Sequence, residues 1–243
     1  MEMIDLLQMV NEIGASDLIF VAGSPPILRV DGSIKPTDLE SLTPREAERL
    51  IFSMLSQEQI ELYHSNKELD FSYGIEGLAR FRVNIHQQRG SIAAAMRRIP
   101  FRIPSFKELG LPEQAITELC NARSGLMLVT GQTGSGKSTT LASMIDYINR
   151  NKSCHIITIE DPIEFLHKHD KSIVEQREIY RDSLSFGAAL KYILRQNADI
   201  ILVGEMRDLE TISTALTASE TGQLVLTSLH TIDASETINR IID

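Results

Sequence analysis

Eight residues, Gly131-Gln132-Thr133-Gly134-Ser135-Gly136-Lys137-Ser138, constrain this chain more than any other stretch. They satisfy the pattern G-x-x-x-x-G-K-[ST] at every fixed position. Leu126 to Val129 reads as a short buried strand before them. Thr139 to Asn149, with Leu141, Met144, Ile145 and Ile148 on one face, reads as a helix after them. Glycines between a strand and a helix let backbone N–H groups curl around phosphate oxygens without a Cβ clash. The helix N-terminus adds partial positive charge at the same point. In such a loop Lys137 reaches the β and γ phosphates and the Ser138 hydroxyl binds Mg²⁺. The stretch therefore implies a nucleoside triphosphate site. The base reads as adenine, because Asn151-Lys152-Ser153-Cys154 has Cys where a guanine-specific N-K-x-D needs Asp.

The remaining composition narrows the class. A net charge of −9 speaks against a chain built to grip nucleic acid, which needs a basic stripe. No apolar run approaches the roughly 20 residues needed to cross a bilayer, so direct membrane insertion is not expected. Met1-Glu2-Met3-Ile4-Asp5 lacks the basic and apolar regions of a signal peptide. Cys120 and Cys154 form no C-x-x-C and read as apolar thiols in a reducing cytoplasm.

The first hundred residues have a different texture from the rest. Ile4 to Ile13 reads as an amphipathic helix, and Asp17 to Phe20 and Ile27 to Val30 as short strands. Thr43-Pro44-Arg45-Glu46 is a helix start running to about Met54, and Ser56 to Tyr63 is a second helix. Leu69 to Tyr73, Ala79 to His86 and Ser91 to Arg98 read as consecutive antiparallel strands. Residues 1–98 thus form an α+β domain. Residues 99–105, with Pro100 and Pro104, suit an extended linker. Residues 106–243 alternate strand and helix. Ile156 to Ile159, Ile200 to Val203 and Leu224 to Thr227 are the apolar runs of a parallel sheet covered on both faces. The chemistry of such an α/β domain lies at the carboxyl ends of its strands.

Each of those runs stops at polar residues: Glu160-Asp161-Pro162-Ile163-Glu164, Gly204-Glu205, and Ser228-Leu229-His230. Glu205 is placed to polarise an attacking water, with metal contact running through water because Gly204 takes the position of the usual Asp. His230 is placed to read the γ-phosphate or the metal's water. Glu160, Asp161 and Glu164 are not separable from one another on their spacing alone. Arg80-Phe81-Arg82-Val83-Asn84-Ile85 alternates, with both arginines on one strand face about 6 to 7 Å apart. That face reads either as a phosphate clamp or as a solvated basic surface.

The chain resembles the secretion and type IV pilus ATPase superfamily, most closely its PilT group of pilus retraction motors. Gly131 to Thr139 resembles that group's Walker A segment, Ile159 to Phe165 its Asp box, Ile201 to Asp208 its Walker B and Leu226 to Thr231 its His box. Ala15-Ser16-Asp17-Leu18 and Arg80 to Asn84 resemble its N-terminal signatures. The resemblance implies a PAS-like domain followed by a RecA-like ATPase domain. It implies ATP with Mg²⁺ as ligands, held by Gly131, Gln132, Thr133, Gly134, Ser135, Gly136, Lys137, Ser138 and Thr139. It further implies Glu205 as the Walker B catalytic glutamate, Glu164 as the glutamate supporting hydrolysis, His230 as phosphate sensor, and Arg80 and Arg82 closing over ATP. The function implied is a retraction motor for twitching motility, with a nucleotide-holding accessory subunit as the alternative. Such a motor is a homohexamer when full-length, works on an inner-membrane pilus platform protein and stays cytoplasmic, peripheral to the membrane through partners. Three features depart from the family: Gln223 stands where a second histidine is usual, Asn197-Ala198-Asp199 replaces Asp-Pro-Asp, and the family continues past Asp243.

Overall fold

Local capping chemistry sets several helix starts in the computed structural model, which describes residues 1–75, 78–99, 102–231 and 234–242. Helix α1 (Met3–Ile13) buries Met3, Leu6, Leu7 and Val10 and ends at Gly14, whose φ of 73° needs no Cβ. Strands β1 (Asp17–Phe20), β2 (Ile27–Val30) and β3 (Ser33–Pro36) follow, the last two joined through Asp31 and Gly32 at φ 50° and 78°. Helix α2 (Pro44–Phe52) starts at a reciprocal cap: Thr43 Oγ1 accepts from Glu46 N, and Glu46 accepts from Thr43 N. Ser56 caps α3 (Gln57–Asn66) in the same way. Strands β4 (Glu68–Ile75), β5 (Ala79–Gln88) and β6 (Ser91–Ile99) close an antiparallel sheet of order β3-β2-β1-β6-β5-β4. Its covered face carries Phe20, Phe81, Val83 and Ile85, which pack in one core with Leu6, Leu7, Leu50 and Ile51.

The chain forms two compact units, Met1–Phe101 and Arg102–Asp243. Ile99 is still paired with Arg80 in the first sheet, and Pro100 and Phe101 of the expected linker lie outside the described residues. The second unit opens with α4 (Glu113–Cys120), then β7 (Gly125–Thr130) and α5 (Lys137–Asn151). Next come β8 (His155–Glu160), β9 (Ile173–Glu178), α6 (Phe186–Ile193), β10 (Ile200–Val203), α7 (Leu209–Glu220), β11 (Leu224–Leu229) and α8 (Ala234–Ile242). The five strands form a parallel sheet of order β7-β11-β10-β8-β9. Leu141, Met144, Ile145 and Ile148 of α5 pack with Ile156, Ile200, Leu202 and Leu226. Ile157, Ile159, Ile201, Val203 and Val225 pack with Ala189, Leu190 and Ile193 of α6 and Ile212 and Ala215 of α7. Apolar side chains on both sides of each central strand explain why those strands read as unbroken hydrophobic runs.

Three elements lay outside the sequence reading. Strand β3 has four exposed residues and ends in proline, so it lacks the alternation that marks a strand. Strand β9, Ile-Val-Glu-Gln-Arg-Glu, is polar because it lies at the sheet edge, and α4 is short with one buried residue, Cys120.

Candidate nucleotide site

The parallel register brings the polar strand ends to one edge. Val203 pairs with both Ile159 and Thr227, so Glu160, Gly204 and Ser228 stand level as the next row. Leu229 pairs with Thr130, which puts His230 level with Gly131. Beyond the ladder, Gly204 N donates to Ile159 O (2.8 Å), Met206 N to Ser228 O (3.3 Å) and Ser228 Oγ to Gly204 O (2.7 Å). These bonds fix the turn carrying Glu205. A Cβ on Gly204 would come within 3.3 Å of Ile159 O and 3.4 Å of Glu160 Cα, both backbone atoms. Close approach of the β10 and β8 strand ends therefore explains the glycine where related loops carry a carboxylate.

The glycine loop has the backbone its motif demands. Gly131, Gly134 and Gly136 have φ of 150°, 80° and 94°, and Gly136 caps α5 without a side chain. Lys137 is buried, and its ammonium donates to Gly131 O (2.9 Å) and Gln132 O (3.0 Å). Its third contact is His230 Nδ1 at 3.4 Å. A lysine has three protons to donate, and all three have an acceptor here. His230 Nε2 faces Glu205 Oε2 at 3.6 Å, too long for a hydrogen bond. The other Glu205 oxygen takes Arg207 at 2.5 Å. The fold thus brings Lys137, His230 and Glu205 into one contiguous chain of groups, with Arg207 as a member the sequence had not singled out. Asp208, next along, is structural: it caps α7 by accepting from Thr211 N and Oγ1, both at 2.8 Å.

Glu164 is exposed on the segment after β8, and its N–H donates to Glu160 Oε2 at 3.4 Å. The two carboxylates have different settings. Glu160 also accepts from Thr158 Oγ1 (2.6 Å) and Gln176 Nε2 (3.1 Å), and burial pushes its pKa above the usual carboxylate range. Ser138 presents an exposed hydroxyl on the first turn of α5, as does the loop itself from Gln132 to Ser135. Among the described residues no group of three His, Cys, Asp or Glu side chains can cage a metal ion.

Gln223 lies at the opposite end of β11 from His230. Its carbonyl accepts from Gly125 N and its side chain from Thr221 Oγ1. The six residues of β11 separate it from His230, a span of about 23 Å over seven steps. The substitution at this position therefore does not touch the nucleotide edge. In the first unit, Phe81, Val83 and Ile85 are buried and Arg82 exposed, as the alternation requires, while Arg80 Nη2 donates to Ser72 Oγ at 2.6 Å. Arg98 has a structural task, donating to Ala15 O and Asn11 Oδ1 behind α1. Among the described residues no helix is long and apolar enough to cross a membrane.

Residues 73–243 match the family described as "Type II/IV secretion system protein". The type IV pilus retraction ATPase PilT of Pseudomonas aeruginosa is 48% identical over 243 residues, covering 100% of this chain and 70% of that protein. The twitching motility protein of Neisseria gonorrhoeae is 46% identical over 223 residues, covering 92% of this chain and 59% of its own length. Among solved structures, the pilus retraction motor PilT with bound ADP superposes with a TM-score of 0.95 at 53% identity, over 100% of this chain and 71% of that one.

Proposed function

The chain belongs to the type II/IV secretion system protein family, and we propose that it is an ATP-hydrolysing motor subunit of a type IV pilus machine, powering retraction. In this reading the second unit is a RecA-like ATPase domain and the first a PAS-like domain. Residues Gly131 to Thr139 cradle the triphosphate, with Lys137 on its terminal phosphates. Ser138 would hold Mg²⁺ directly and Glu205 through water, and the ion would neutralise phosphate charge there. Glu205 orients and polarises the attacking water. His230, with its ring nitrogens facing Lys137 and Glu205, senses the phosphate. Glu164 supports hydrolysis, and Arg80 and Arg82 supply further positive charge to the transition state. The subunit works as a homohexamer on an inner-membrane platform protein, in the cytoplasm and peripheral to the membrane. The relatives' names, retraction ATPase and twitching motility protein, support the retraction-motor reading.

The observation that carries the reading is the continuous run Lys137–His230–Glu205, which links the phosphate-binding lysine to the water-activating carboxylate. Two departures leave the accessory-subunit alternative open: Gln223, which is remote from this run, and the family's continuation past Asp243. The test is Mg²⁺-dependent phosphate release by wild type, Lys137→Ala and Glu205→Gln. Loss of a preorganised group of this kind costs about 10²-fold or more in kcat. Turnover that is unchanged in both variants rejects the reading, and tight nucleotide binding without phosphate release by wild type favours the accessory subunit.

A further inference from the structure

Residues 161–172, between β8 and β9, contain no helix or strand. A stretch this long without regular structure is uncommon in a compact domain, and its backbone groups still need partners. Side chains provide them. Asn149, buried on α5, donates from Nδ2 to Lys168 O (2.7 Å) and accepts at Oδ1 from Asp170 N (3.2 Å). Gln176 on β9 holds the first half. Its Oε1 accepts from His167 N (2.8 Å) and its Nε2 donates to Phe165 O (2.8 Å), the two bonds a neighbouring β-strand would make. The same Nε2 donates to Glu160 Oε1 (3.1 Å), and Glu160 Oε2 accepts the N–H of Glu164 (3.4 Å). Glu164 is thus gripped on both sides: at its own amide by Glu160, and through the next residue's carbonyl by Gln176.

We propose that Glu160 and Gln176 act as a pair of positioning residues that fix Glu164 at the nucleotide edge, without touching the nucleotide themselves. The proposal rests on the hydrolytic reading above, in which Glu164 supports turnover. A carboxylate is required at 160 because it offers only acceptors, and three donors converge on it: Thr158 Oγ1, Gln176 Nε2 and Glu164 N. A glutamine there has one acceptor oxygen and must aim its own NH₂ at one of those donors. Gln176 in turn must both donate and accept, which an amide does and a carboxylate or thioether does not.

The experiment compares Glu160→Gln, Gln176→Met and the double variant in the full chain, by steady-state ATP hydrolysis, ADP affinity and thermal unfolding. Misplacing a reacting group by about 1 Å costs up to about 10²-fold in rate. Each single variant is expected to lower kcat by about 10- to 100-fold, with KM and ADP affinity within about twofold of wild type. The double variant should be no worse than the poorer single one, because both changes act through one loop. If Glu160→Gln does not fold, Gln176→Met carries the test alone through the split between kcat and KM. Wild-type kcat in variants of an active enzyme overturns this inference and leaves the motor reading standing. So does a fall in kcat matched by lost ADP affinity, or effects that simply add. A wild-type protein that releases no phosphate overturns both.

Discussion

His167 carries a buried Nδ1 with no hydrogen-bond partner among the described residues, and burial pulls its pKa down to about 4. In the unfolded chain the imidazole titrates near its ordinary value of about 6.5. Between those limits the unfolded state binds the extra proton and the folded state does not, so stability falls as pH drops from about 6.5 to about 4. The full contribution is on the order of 3 kcal/mol. His167→Leu should flatten that part of the acid limb, read as the difference between urea midpoints at pH 7 and pH 4.5 in variant and wild type. Equal differences in the two proteins would sink the idea. Glu160 works in the opposite sense: its raised pKa means the folded state gains a proton first, so acid relieves a penalty present at neutral pH. At this scale the sequence was legible where a motif fixed the residue, as for Lys137, or where a strand end fixed it, as for Glu205 and His230. Glu160 and Glu164 were not separable, because only the fold decides which of two neighbouring carboxylates is covered by Thr158 and Gln176. Arg207 escaped notice because an exposed arginine carries no signal until its partner's position is known.

Strands with apolar residues on both faces could be read directly from the chain, whereas the exposed or polar edge strands β3 and β9 could not. Strand β9 shows the consequence: its unread Gln176 organises the segment that bears Glu164. Helices with reciprocal caps were legible at their starts, since Thr43 and Glu46 satisfy each other's amide in the way their three-residue spacing implies. Thr43→Ala should cost about 1 kcal/mol by chemical denaturation and leave ATP turnover unchanged, because α2 serves the first core. Gly204 makes the harsher demand. Its missing Cβ faces the backbone of Ile159 and Glu160, which belongs to a neighbouring strand and yields little. Gly204→Ala should destabilise by about 1 to 3 kcal/mol, the usual range for overpacking. It should also lower kcat, because the turn carrying Glu205 starts at this residue. An alanine variant with wild-type stability and turnover would mean that β10 and β8 are not held this closely.

Each of the two units has its own apolar core, so a ligand of the second unit should act on that unit's stability first. In the proposed reading ADP would engage the glycine loop and Lys137, and would offer no γ-phosphate to Arg80 or Arg82. Hydrogen exchange should therefore slow in β7, α5 and β11 on adding Mg-ADP, by up to about 2.7 kcal/mol at a hundredfold excess over Kd. Lys137→Ala should remove that protection by weakening ADP binding. Arg82→Ala makes a separate prediction. An arginine acting on the transferring phosphate is worth about 10³ to 10⁵ in rate and little in diphosphate affinity. The variant should thus keep its ADP protection pattern while kcat for ATP collapses. The exposed Arg82 lies in a sheet whose other face supplies the core residues Phe81, Val83 and Ile85, so its removal leaves packing intact. A variant with unchanged turnover would return Arg82 to a solvated basic surface, and one that lost ADP protection as well would place it in ground-state binding instead.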